Sequence, residues 1–185
     1  MILRCFCHGA LAAALLLSTA PAQTQETEVI PFDAMWDWLM ILQPGSSAQV
    51  DPVSVDPDFL QTWTTPAYNG PAFARDPAPL SYGGVDFLMN GSAPPGTLLS
   101  TPAGGTRGTV YCRTTIDLPG ELTNIKLETI VDDGFLLYVD GAQWVSMNMR
   151  PGATSAFGEM AVAAGNETAL SILHPGTSLS AGRHT

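Results

Sequence analysis

The sequence predicts an all-β domain, a β-sandwich or jelly roll. Three observations carry that expectation. Short apolar runs alternate with period two from Thr109 onward, Asp-Gly and Pro-Gly pairs break them at short intervals, and no convincing long helical pattern occurs. The clearest stretch is Val131-Asp132-Asp133-Gly134-Phe135-Leu136-Leu137-Tyr138-Val139-Asp140-Gly141. Asp-Gly favours a tight turn, because Gly takes positive φ at little cost and Asp can hydrogen-bond locally. Between the two turns Phe135, Leu137 and Val139 face one way and Leu136 and Tyr138 the other. That suits a strand covered on both faces.

Taken in order, residues 1–22 read as a secretory signal peptide. Arg4 provides a positive start, Ala10 to Leu17 an apolar run, and Ala20-Pro21-Ala22 a small-residue cleavage site before Gln23. The run is too short and wrongly flanked for a spanning helix, and no later stretch is long and apolar enough to cross a bilayer. The expected location is therefore secreted, periplasmic or at the cell surface. Residues 23–31 form a polar, flexible leader, and residues 32–185 the β-sandwich domain. Within Phe32 to Leu42 the alternation of Trp36, Trp38, Met40 and Leu42 predicts a first strand, with both tryptophans on one face.

Pro44 to Pro57 is a turn-rich connector carrying Asp51 and Asp56, and Phe59 to Trp63 forms either one helical turn or a short strand. From Pro66 to Pro95 the chain is dense in Pro and Gly, with Tyr68, Phe73, Tyr82 and Phe87 between them. Disordered segments lack such regularly placed aromatics, so long ordered loops anchored by those rings are expected. Thr109 to Leu118 alternates, Pro119-Gly120 turns, and Asn124 to Val131 alternates again. Phe135 to Val139 and Gln143 to Met147 then flank the Asp140-Gly141 turn. Asn90-Gly91-Ser92 and Asn166-Glu167-Thr168 are glycosylation sequons, meaningful where the source glycosylates secreted proteins. Leu179 to Thr185 resembles the lead-in to a further strand. The expectation is a fragment cut inside its domain and lacking its last strand or strands.

Composition narrows the partners. The formal net charge is -10, and loss of Arg4 with the signal would make the mature chain more acidic. An acidic surface repels phosphate backbones and anionic lipid, which disfavours nucleic acid and membrane surfaces. It suits calcium or neutral sugars, or simply keeps the protein soluble. Cys5 and Cys7 leave with the signal, so Cys112 remains alone and no intrachain disulfide can form. Cys112 shares a face with Val110, Thr114 and Ile116, which reads as core, so a buried structural thiol is expected.

Several motifs occur together in a fixed order: Trp36-Asp37-Trp38-Leu39, Trp63 before an aromatic loop, Ala78-Pro79-Leu80-Ser81-Tyr82-Gly83, and Thr109-Val110-Tyr111-Cys112-Arg113. Asp132-Asp133-Gly134 follows with Tyr138-Val139-Asp140-Gly141, then Met147-Asn148-Met149-Arg150-Pro151-Gly152. In order and spacing the set resembles the galactose-binding-like β-sandwich modules of large secreted bacterial proteins. It covers the chain from about Trp36 to the end. Cys112 departs from the family's aromatic residue and Asp140 from its Asn. In that family a strand of the type Gly-x-His-x-Leu-Ala-Val-Glu lies where this sequence reaches Gly182-Arg183-His184-Thr185. The resemblance implies a jelly-roll module, usually non-catalytic, that accompanies a further domain of the same chain. A function taken from it is analogy, since one fold hosts many functions.

The candidate ligand-binding residues are Asp132, Asp133, Trp144, Asn148 and Arg150. Adjacent carboxylates repel unless a cation or donors offset them, and calcium takes loop oxygens of this kind, so Asp132 and Asp133 are also the candidate metal ligands. The alternative is that both cap backbone amides in a tight turn. Asp-Asp-Gly before such a strand also resembles the protective-antigen type of sugar-binding domain, in which the pair holds calcium. Trp144 either stacks on a sugar ring or packs over the sandwich edge. Asn148 and Arg150 can present forked donors to hydroxyls, or Arg150 pairs with Asp132 or Asp133 to secure the loop. His174 and His184 lie in loop-like sequence without metal spacing. No nucleophile elbow, zinc-helix motif or phosphate loop occurs. The leading expectation is a secreted, non-catalytic carbohydrate-binding accessory module. The alternative is a structural module that positions a downstream hydrolase or phosphoesterase domain and binds no sugar.

Overall fold

A computed structural model describes residues 26–41, 52–68, 70, 73–78, 80–81, 96–99, 109–131, 133–163 and 168–185. The signal-like segment, Leu42, Tyr82, Phe87, Asp132 and both sequon asparagines lie outside the described residues. The described chain is mostly strand, paired antiparallel except for one short parallel pair at Leu80–Ser81 and Thr97–Leu98, with little helix, as expected of an all-β domain. The strands are β1 (Met35–Ile41), β2 (Ala74–Pro77), β3 (Leu80–Ser81), β4 (Thr97–Leu98), β5 (Thr109–Arg113) and β6 (Ile116–Leu118). They continue with β7 (Leu122–Val131), β8 (Phe135–Val139), β9 (Ala142–Met147), β10 (Thr168–Leu179) and β11 (Gly182–His184). Two single helical turns, α1 (Pro52–Val55) and α2 (Phe59–Thr62), lie between β1 and β2. The Phe59 region thus takes the helical of its two expected forms.

β1 is the centre of a three-stranded sheet in the order β2-β1-β5, antiparallel throughout. Its register pairs Leu39 with Tyr111 and Trp38 with Cys112. Paired residues share a face, so Leu39, Ile41 and Tyr111 lie on one side and Trp38, Met40, Val110 and Cys112 on the other. The deeper core is on the first side, where Ile41, Phe59, Trp63 and Tyr111 form a buried cluster. Phe59 is fully covered and meets Tyr111 edge-on at 5.0 Å, while Trp63 meets Tyr111 at 5.2 Å. Edge-to-face pairs of this kind add about 0.5–1.5 kcal/mol beyond the area they bury. Tyr68 and Phe73, two of the loop rings, pack against the same cluster and meet edge-on at 5.8 Å.

The opposite face is more open. Met40 and Leu99 are buried there with Trp38 and Leu80 packed on them, but Val110 stays exposed. The expectation that the Val110–Cys112 face is the core is corrected on this point, because Tyr111 is the residue of β5 that α2 covers. Cys112 itself is half-buried where a buried thiol is expected, and burial pushes its thiol up to about 12. A further correction concerns Thr109 to Leu118, which is two strands. The chain leaves the β1 sheet after Arg113, Thr114 Oγ1 donates to the Met35 carbonyl at 3.2 Å, and β6 joins β11 in a separate ladder. Alternation continues through the step, so the pattern alone does not reveal it.

β7 and β10 form the longest ladder, from Leu122 to Val131. No strand is expected from the sequence over Thr168–Leu179, and Pro175-Gly176 lies within the strand found there. The structure accommodates them in a bulge: His174 opposes Ile125 and Ser178 opposes Thr123, so three residues face Asn124 alone. Asn124 adopts φ +54°, a region that Asn tolerates better than most residues. Pro175 lacks an N–H, and a bulge is where a strand tolerates that.

Candidate functional site

The Asp140-Gly141 turn behaves as its composition demands. Val139 pairs with Ala142, leaving a two-residue loop in which Asp140 has φ +50° and Gly141 φ +86°. Positive φ at both positions is the primed turn that matches strand twist. Farther along the hairpin, Leu137 opposes Val145 and Tyr138 opposes Gln143, so Trp144 is the extra residue of a bulge in β9. Trp144 is half-buried there.

The Asp133-Gly134 step has a different logic. Asp133 is exposed at φ +66°, the left-handed region in which Asp is tolerated. Gly134 permits close packing, for a Cβ there would lie 2.9 Å from Met149 Sδ, 3.0 Å from the Met147 carbonyl oxygen and 3.1 Å from Ala161 Cβ. Asn148, at φ +51°, donates from Nδ2 to the carbonyls of Asp133 at 3.0 Å and Ala163 at 2.6 Å. Two acceptor carbonyls fix which way the amide points and commit both of its hydrogens. Its own carbonyl accepts from the Val162 amide at 2.7 Å. Asn148 therefore clips the Asp133 turn to both ends of the 148–163 loop.

That loop is closed at its base by a bridge between Met149 and Ala161. Arg150 Nη2 donates to Glu159 Oε2 at 3.0 Å across it, a partner the sequence did not suggest; Asp132, one of the two it did, lies outside the described residues. That carboxylate comes from the loop itself, nine residues on. Arg150 is largely exposed, so this pair contributes at most ~1 kcal/mol. The stronger attachment is at Ser155. Its Oγ accepts from Trp63 Nε1 at 3.1 Å and its carbonyl from the Tyr111 hydroxyl at 2.9 Å. Phe157 packs against the same aromatic cluster and Ala153 is buried.

Of the sequence-predicted site residues, Asp133 and Asn148 are thus brought together, Arg150 is turned to Glu159, and Trp144 lies on the neighbouring strand. Asp132 lies outside the described residues. Calcium takes 6–8 oxygen ligands. Among the described residues no group of three or more His, Cys, Asp or Glu side chains converges.

Two features escaped the sequence. His184, read as loop-like, is a buried residue of β11. Its Nδ1 lies 2.6 Å from Asp140 Oδ2 and its Nε2 2.9 Å from the Ser180 carbonyl oxygen. The Asp140 carboxylate, then the Ser180 carbonyl, hold the imidazole above its ordinary range against a smaller opposing effect of desolvation. The other feature is a shallow open depression of about 520 Å³ lined by Val55, Asp56, Asp58, Thr62, Tyr68 and Gly70. Burial first, then the Asp56 carboxylate, pushes the Tyr68 phenol up to about 12, while the Arg113 guanidinium sits 4.9 Å over its ring. No spacing rule links these residues. No helix among the described residues is long and apolar enough to cross a membrane.

No family model matches this chain, and no curated protein and no solved structure matches it.

Proposed function

We propose that this chain is a non-catalytic, jelly-roll β-sandwich accessory module of a larger secreted protein, and that its 133–163 region serves structure before ligand binding. The observation that supports this most is the use of the donors: both Asn148 amide hydrogens go to backbone carbonyls and Arg150 goes to Glu159. The Asn148 amide must break those bonds to hold a sugar, at a cost comparable to what the sugar returns, while Arg150 is oriented by its pair with Glu159. The engagement of both His184 ring nitrogens likewise leaves that residue no atom with which to serve as a general base. The galactose-binding-like type, the secretion and the further domain rest on the motif resemblance and the signal-like start.

Carbohydrate binding is the second reading, and the depression beside α1 and α2 favours it. Asp56 and Asp58 carboxylates, the Thr62 hydroxyl and the Tyr68 ring are the group types that accept sugar hydroxyls and cover apolar ring faces. A calorimetric titration of neutral monosaccharides and glycans at millimolar concentration, with and without calcium, separates the readings. The structural reading expects no binding. It also expects Asn148→Ala to lower stability by ~1–2 kcal/mol, two hydrogen bonds being lost. Saturable sugar binding abolished by Trp144→Ala with the fold intact would refute it and restore the Asp132–Trp144 site. Binding abolished by Asp58→Asn would place the ligand at the depression.

A further inference from the structure

The β8–β9 turn and the β11 segment are tied by three polar contacts, and a fourth holds the His184 ring to its own connection. Asp140 Oδ2 meets His184 Nδ1 at 2.6 Å, and Asp140 Oδ1 accepts from the Thr185 amide at 2.9 Å. The Asp140 amide donates to the Thr185 oxygen at 3.0 Å, and His184 Nε2 meets the Ser180 carbonyl oxygen at 2.9 Å. The ring's partners are a carboxylate oxygen and a carbonyl oxygen, and both can only accept when the carboxylate is ionised. Neutral imidazole carries one N–H and can serve one of them; the imidazolium serves both.

We propose that the doubly protonated His184 ring is a proton-dependent clasp that holds β11 to the β8–β9 turn, engaged at mildly acid pH and loosened as pH rises. The charged groups around it support this. Asp140 is the carboxylate that the turn presents to the ring. β6 brings Asp117, which pairs with Arg183 and so lies on the opposite face of the β6–β11 ladder from His184. On the ring's own face β6 contributes Ile116 and the buried Leu118, which are apolar, and the β10–β11 connection contributes the Ser180 carbonyl. Arg183 reaches away to Thr115 Oγ1 at 3.5 Å. The folded-state imidazole is held above its ordinary value of 6.5. The stabilisation is therefore fully present below that value and is lost as pH rises through the folded one.

The test uses the chain as it stands, with nitrogen-resolved NMR of the histidine rings and exchange of the Thr185 amide between pH 5.5 and 8.5. At pH 6.5 both ring nitrogens of His184 should carry the imidazolium signature, with a midpoint above 6.5. As pH passes that midpoint, Thr185 exchange should rise ~10-fold beyond the intrinsic rate, the effect of one lost hydrogen bond to a charged group. In Asp140→Asn the midpoint should fall back toward 6.5. A neutral ring at pH 6.5, Thr185 exchange that follows only the intrinsic rate, or an unchanged midpoint in folded Asp140→Asn overturns the proposal. The first two outcomes need no variant, so a failure of Asp140→Asn to fold leaves the proposal refutable.

Discussion

Tyr111→Phe probes how the 148–163 loop is held to the core. Tyr111 is 2% exposed, and its ring lies edge-on to both Phe59 and Trp63. Phenylalanine keeps that ring and its contacts but removes the hydroxyl that donates to the Ser155 carbonyl at 2.9 Å. One neutral hydrogen bond is lost, and a partly buried carbonyl loses that donor. Together these cost about 1–2 kcal/mol. For a chain of this size that lowers Tm by about 3–6 °C. The assay is urea unfolding followed by tryptophan fluorescence, with the midpoint expected to fall and the slope to stay constant. Trp63→Phe removes the second donor to the same residue, Nε1 to Ser155 Oγ. Because both variants release one loop, the double variant should cost less than the sum of the singles by at least ~0.5 kcal/mol. Stability within ~0.3 kcal/mol of the parent for Tyr111→Phe, or strict additivity, would refute the claim that Ser155 is the loop's point of attachment.

Two further outcomes follow from packing and burial. Gly134→Ala should destabilise by ~1–3 kcal/mol, since the new methyl meets a backbone oxygen at 3.0 Å and Ala161 Cβ at 3.1 Å; a thermal melt equal to the parent's would contradict it. In a chain with Cys5 and Cys7 replaced by serine, Cys112 should react with a disulfide reagent at pH 8 about 1,000-fold more slowly than after unfolding. A thiol pushed up to about 12 is ~10⁻⁴ ionised there, against roughly a quarter for an ordinary thiol. Rapid labelling of the native chain would show that the thiol is open to solvent.

Much of the strand content was legible because its signals are local. The alternation of Trp36, Trp38 and Met40 marks β1, and Asp140-Gly141 dictates a two-residue primed turn from the φ preferences of two residues. The helical turn at Phe59 was one of two forms left open, and its choice depended on Phe59 reaching Tyr111 and Trp63. β10 is not legible locally, since a Pro-Gly pair disfavours a continuous strand and the bulge that carries Pro175-Gly176 forms opposite Asn124, with its positive φ, on a distant strand. The step between β5 and β6 was missed for the opposite reason: alternation persists across it while the partner strand changes.

The candidate site divides along the same line. The sequence by itself determined that the 131–152 stretch would form turns and a hairpin. It identified residue types able to bind a ligand, but not whether their hydrogen-bonding capacity would remain free. The tertiary structure decided that Asn148 spends its amide on Asp133 and Ala163, that Arg150 turns to Glu159, and that His184 meets Asp140 from 44 residues away. The physical reason is range. Turn and strand preferences arise from the φ/ψ energetics of a few adjacent residues, whereas a side chain's partner depends on which distant backbone the fold carries to within 3 Å of it.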